Sequence, residues 1–177
     1  ESRYACVEGE PLDQDGVPLD FIFHRNLPTN ASLLVDHKRK PLADALCMLN
    51  VSWLVVSDRC YSILDEYAIC PRIKWVPADV LRPSGKVAAR FHLAFSPTEH
   101  DIWDYKKSDC AWLDGTTPGT RQAAAYMRTG VAEPGKLPRL DLFLTWSGSW
   151  VVSSELSTAL AALGITGIEL EDLQVAD

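Results

Sequence analysis

"LVVSDRCYSILDEYAI" (Leu54–Ile69) and "WVVSSELSTALAALGI" (Trp150–Ile165) align without a gap, and the repeat decides how the chain is read. Val55-Val56-Ser57 matches Val151-Val152-Ser153. The apolar positions Cys60, Ile63, Leu64 and Tyr67 match Leu156, Ala159, Leu160 and Leu163. Their i, i+3, i+4, i+7 spacing is the buried stripe of an amphipathic helix. In each copy a β-branched pair ends a strand, and the serine is placed to cap the helix by accepting from a first-turn amide. Asp58 or Glu155 follows in the first turn, where a negative charge suits the helix dipole. Gly164 stands where the second helix needs a left-handed stop; the first copy has Ala68 there, so its helix must end differently.

Working outward, "RIKWVPADV" follows the first helix and "TGIELEDL" the second, which predicts two strand–helix–strand units, at 53–80 and 149–175. "IKWVPADVL" and "KVAARFHLAF" flank Pro83-Ser84-Gly85 and predict a hairpin. "RLDLFLTW" (Arg139–Trp146) alternates as a strand does, and "FIF" (Phe21–Phe23) suggests a short one. Pro41 opens "PLADALCMLN", whose Leu42, Leu46 and Leu49 share one helical face. "RQAAAYMRTG" suggests a short helix, whereas the first forty residues read as irregular. No polar linker divides the chain. The fold class is therefore α+β in a single domain over 1–177, with an irregular part at 1–50 and the core at 51–177. A mixed, mostly antiparallel sheet should carry a few short helices on it.

The composition narrows the function classes. No apolar run reaches the ~20 residues of a membrane span. The chain starts at Glu1 rather than Met and shows no charged-then-apolar leader, which leaves a removed leader open. Five cysteines, odd in number and without CxxC spacing, read as reduced, mostly buried thiols rather than a disulfide framework or a zinc site. No metal or cofactor is expected. The net charge is −7, with Glu8, Glu10, Asp13, Asp15 and Asp20 clustered early and no base among them. After Arg139 come Asp141, Glu155, Glu169, Glu171, Asp172 and Asp177, again without a base. Such a surface repels nucleic acid and anionic lipid and steers a basic partner. The only basic run, "DHKRK" (Asp36–Lys40), reads as a solvated loop, and Asp13-x-Asp15-Gly16 as a turn rather than a calcium loop.

Catalytic patterns are weak. "VVSDR" and "VVSSE" lack the glycines of a nucleophile elbow, so both serines read as caps. His100 and Asp101 adjoin, and Cys110 follows, which keeps a small Cys/His-dependent enzyme as one alternative and a non-catalytic adaptor as another. Trp53, Trp146 and Trp150 sit at strand edges and read as core. Trp103 and Trp112, within "DIWDYKKSDCAWLD", are the better candidates for exposed anchors, with burial as the competing reading.

Three stretches resemble one family: "LVVSDRCYSILDEYAICPRIKWVPADVLRPSGK" (Leu54–Lys86), "DIWDYKKSDC" (Asp101–Cys110) and "WVVSSELSTALAALGITGIELEDL" (Trp150–Leu173). They are similar to the bacterial polymorphic-toxin immunity proteins once catalogued as a domain of unknown function, and the closing VSxxLxxxLxxxGITGxE form is the nearest likeness. The resemblance implies a protein without catalytic residues that binds and neutralises a cognate toxin, often a nuclease, in the bacterial cytoplasm. A basic DNase or RNase toxin is then the expected partner, with no direct contact to nucleic acid or membrane. Charge and aromatic clustering mark Asp101, Trp103, Asp104, Tyr105, Asp109, Trp112 and Asp114, with Glu169, Glu171 and Asp172, as the expected contact set.

Overall fold

In a computed structural model, residues 6–19, 27–46, 53–67 and 73–177 are described. Phe21–Phe23, Leu49, Ala68, Cys47 and Cys70 lie outside them. The architecture is mixed α+β and mostly antiparallel. The largest sheet has the order β1-β2-β5-β6-β4-β3, built from β1 (Val7–Leu12), β2 (Ala31–Val35), β3 (Ala45–Leu46), β4 (Leu54–Ser57), β5 (Lys74–Leu81) and β6 (Val87–Phe95). Within it only β2 and β5 run parallel. A second sheet has the order β11-β10-β7, from β7 (Glu99–His100), β10 (Leu142–Thr145) and β11 (Trp150–Val152). A ribbon pairs β8 (Asp109–Trp112) with β9 (Ala124–Thr129). Among the described residues the α-helices are α1 (Asp58–Tyr67) and α2 (Ser154–Ala162).

The β5–β6 hairpin forms where the sequence places it. Val76, Ala78 and Val80 alternate into the core, and Gly85 takes φ +77° in the turn that Arg82 and Lys86 close. One face of the large sheet buries Leu33, Val55, Val76, Phe91 and Leu93. Over part of the other face the helices pack on the sheet and on each other, with Val56, Cys60, Leu64, Leu142, Leu156 and Leu160 in one cluster. The two repeats thus share a core. Both serines cap as expected: Ser57 Oγ accepts from Cys60 N at 3.3 Å, and Ser153 Oγ from Leu156 N at 3.2 Å. Gly164 takes φ +60°, with Gly164 N donating to Ala161 O and Ile165 N to Leu160 O, the paired bonds of a Schellman stop.

Four expectations are corrected. The first part of the chain is not irregular, because β1, β2 and β3 supply half of the six-stranded sheet. The helix expected from Pro41 gives way to a bend and β3: Asp44 N donates to Thr166 Oγ1 at 3.0 Å, and Ser57 N donates to Asp44 O at 2.7 Å. Tertiary partners there outbid the intrahelical bonds, though Leu42 and Leu46 still meet the same core. "RQAAAYMRTG" forms one 3-10 turn and then β9, which buries Ala124 against the ribbon's neighbours. Finally, "TGIELEDL" is not a strand. Gly167 takes φ +83°, and Leu163, assigned to the helix stripe, is half exposed.

Candidate functional site: an acidic cleft

Residues 164–168 explain what the end of the repeat does. Asp44 accepts from Thr166 N at 3.0 Å, Thr166 Oγ1 at 2.9 Å and Ser57 Oγ at 2.9 Å, with Arg59 at 3.7 Å. Burial pulls the Asp44 pKa up, but these hydrogen bonds and Arg59 outweigh it and hold the carboxyl below its ordinary range. Ala45 N donates to Thr166 O at 2.9 Å. A Cβ on Gly167 would overlap the Ala45 carbonyl oxygen and Ala43 Cβ, so only glycine lets the two segments approach. This clasp holds the start of the C-terminal tail to the large sheet.

Beyond the clasp, the tail is stitched to the middle of the chain. Ala132 N donates to Gln174 O at 2.7 Å, and Ala176 N returns to Ala132 O at 2.8 Å. On its other side Ala132 bridges Trp103, so the segments at 103, 132 and 175 lie side by side. The two halves of the expected contact set, seventy residues apart, are thereby brought together by one intermediate segment.

A cleft of about 860 Å³ opens between the tail, the start of α2, β11 and the end of β9. Trp103, 5% exposed, lies at its base, and Gly130 has no Cβ because one would run into the Trp103 ring and Met127 Sδ. Glu169, Glu171 and Asp172 line the rim and are exposed, with no ion-pair partner among the described residues. Leu170, 44% exposed, sits between them. Arg128 is the one lining cation among the described residues, and Asp109 at 3.8 Å and the Tyr126 ring hold it. The field at the mouth is negative and the rim carries an apolar side chain. Such a cleft suits a cationic, partly apolar protein segment.

Residues 4–175 match the model of the Immunity protein family (Imm11), nearly the whole chain. The chain belongs to the Imm11 immunity protein family. No curated protein matches it. Membership in Imm11 supports an immunity role, and such a role implies a cognate toxin as partner.

Within this Imm11 chain the expected contact residues separate. Trp103, Glu169, Glu171 and Asp172 line the cleft. Tyr105 is buried beside Trp112 and Trp146 and donates to Asp101 Oδ1 at 2.7 Å; burial and that bond raise its pKa. Asp104 Oδ1 accepts from Lys106 N at 2.9 Å and stiffens a turn. Asp101, Asp104, Tyr105 and the half-buried Trp112 therefore support the fold, and Trp103 is a base rather than an exposed anchor. Asp109 reaches the cleft only through Arg128, and Asp114 is exposed on a separate turn. Nothing local in the sequence marks Arg128, Gly130 or Leu170, and Ser154 and Ser157, which also line the cleft, stand inside α2 behind its cap Ser153.

The chemistry of Cys110 disfavours the enzyme alternative. Its thiol is buried, and burial together with neighbouring Asp109 pushes its pKa up, away from the thiolate a nucleophile needs. Cys60 is pushed up to about 12 by burial. Asp101 is engaged by Tyr105 rather than oriented as a base. His92 accepts the role of a satisfied polar group, 2.7 Å from Asp58 and stacked on Tyr61.

Proposed function

We propose that this Imm11 protein neutralises a nuclease toxin, DNase or RNase, by binding the basic surface on which that toxin holds nucleic acid. It acts in the cytoplasm of the bacterium that carries the toxin, and it acts by stoichiometric binding, without catalysis. The observation that carries this reading is the cleft whose rim presents Glu169, Glu171 and Asp172 around an exposed Leu170. A nuclease needs cationic side chains to neutralise phosphates. Carboxylates without an ion-pair partner among the described residues compete for those cations without breaking pairs there, and they accelerate encounter through long-range attraction. Leu170 supplies the apolar contact that slows dissociation.

The test is capture from the producing cells with the tagged protein, followed by expression of the captured partner alone. A basic partner that degrades nucleic acid, kills when expressed alone and loses activity at one equivalent of inhibitor supports the proposal. Substitution of Glu169, Glu171 and Asp172 by Lys should then slow association by about tenfold or more and flatten its salt dependence. Inhibition well below one equivalent would sink the stoichiometric reading. A toxin with another chemistry would sink the nuclease assignment.

A further inference from the structure

The two helices cover only part of the second face of the six-stranded sheet, and among the described residues their cover ends where Tyr61 stacks on His92 at 4.0 Å. Beyond it, two complete rows of side chains cross four strands. Glu8, Leu34, Leu81 and Val87 are register partners in turn across β1, β2, β5 and β6, where a β-bulge just before the Leu81–Val87 pair takes Val87 off the face of Ala89 and Phe91. Leu12, Ser32, Asp79 and Arg90 form the next row. Register partners share a face, and these residues belong to none of the core clusters. Leu12, Leu34 and Val87 are 37%, 40% and 57% exposed. Three large apolar side chains on one open sheet face form the kind of contiguous patch that marks an interaction surface.

The charges on this patch identify the occupant. Its β1 side carries Glu8 and Glu10, both exposed, whereas its β6 side carries Arg90, with the exposed Lys86 in the turn just before Val87. Asp79 is already satisfied, by Arg90 at 3.3 Å and Asn30 at 3.2 Å, so the centre of the patch presents no stranded acid. A surface that is acidic along one edge, apolar in the middle and basic along the other is complementary to itself under a two-fold rotation.

We propose that this face pairs with a second copy of the same chain, sheet on sheet, about a two-fold axis lying roughly along the strands between β2 and β5. That axis lays β1 of one copy over β6 of the other. Leu34 then meets Leu81 of the second copy, Val87 is covered, and Glu8 reaches Lys86 and Arg90 of the second copy. Each contact occurs twice, as an isologous interface requires. The two sheets would stack at about 10 Å, the ordinary spacing of aligned sheet packing. The acidic cleft is built from other elements, so a dimer would present two of them.

Sedimentation velocity of the full chain across the micromolar range tests this. The wild type should shift from monomer to dimer with concentration. Val87→Asp, at a site exposed enough to leave folding intact, should weaken the dimer by about tenfold or more, with circular dichroism confirming the fold. Glu8→Lys and Lys86→Glu should each weaken it, and the double variant should recover part of the loss. A wild type that stays monomeric throughout overturns the proposal. A dimer indifferent to Val87→Asp overturns it as well, since another face would then hold the copies. Loss of toxin capture by Val87→Asp without any dimer would assign the face to the toxin and overturn it too.

Discussion

The two repeats start alike and finish differently. Val-Val-Ser, a first-turn acid and a two-turn apolar stripe give both a capped helix packed on the same cluster. After α1 the chain returns as β5, the strand at the middle of the large sheet. After α2 it becomes a clasp and an acidic rim. The first return alternates Val76, Ala78 and Val80 into a core that needs them, whereas the second has Gly167 at φ +83° and acids where apolar side chains would be wanted. A shared start does not oblige a shared end, because the returning segment is chosen by what it can bury.

The largest break in this comparison is expected at Gly167. Gly167→Ala should cost about 3 kcal/mol or more, roughly 10 °C in Tm, because both the backbone conformation and the contact with Ala45 and Ala43 are violated. Gly164→Ala faces open space and a positive φ alone, and should cost about 1 kcal/mol. Equal losses in thermal unfolding would mean that the clasp is not what holds the tail.

A second difference lies between the caps. Ser153→Ala removes one first-turn acceptor and should cost about 1 kcal/mol. Ser57→Ala also takes a donor from Asp44 and should cost about 2 kcal/mol. Denaturant midpoints that rank the two in reverse would break the assignment of Ser57 to both the helix and the clasp.

The clasp also carries a pH signature. The Asp44 pKa is lowered in the folded chain, so ionised Asp44 stabilises the fold fully above its unfolded value, about 4. That contribution is lost as pH falls through the lower folded value. Asp44→Asn should therefore destabilise at neutral pH and show a shallower fall in Tm below about pH 4. Parallel Tm curves for the two proteins would exclude Asp44 as a source of acid sensitivity. The smallest effect is expected at Leu163→Ser, within about 0.5 kcal/mol, since that side chain is half exposed despite its place in the stripe.

Legibility followed the range of the interactions. The hairpin at Pro83-Ser84-Gly85, both serine caps and the Gly164 stop were plain in the sequence because each is decided within a few residues. The cleft was half legible: clustered acids pointed to Glu169, Glu171 and Asp172, but the same logic selected Asp101 and Asp104, which serve a tyrosine and a turn. Charge counts cannot tell an acid that is used internally from one that is spare. Arg128 and Leu170 had no local mark at all.

By itself the sequence determined the α+β class, the two capped helices, the acidic balance and the likeness to an immunity family, because periodicity, capping and composition act locally or by simple summation. Only the tertiary structure decided that residues 43–46 would leave a helical pattern for Thr166, and that the tail would lie against Ala132 rather than form a strand. Those outcomes depend on hydrogen bonds between segments more than a hundred residues apart in one case and some forty in the other. Backbone groups there find partners that no window of sequence contains, and a buried amide or carbonyl goes to whichever partner the assembled fold offers.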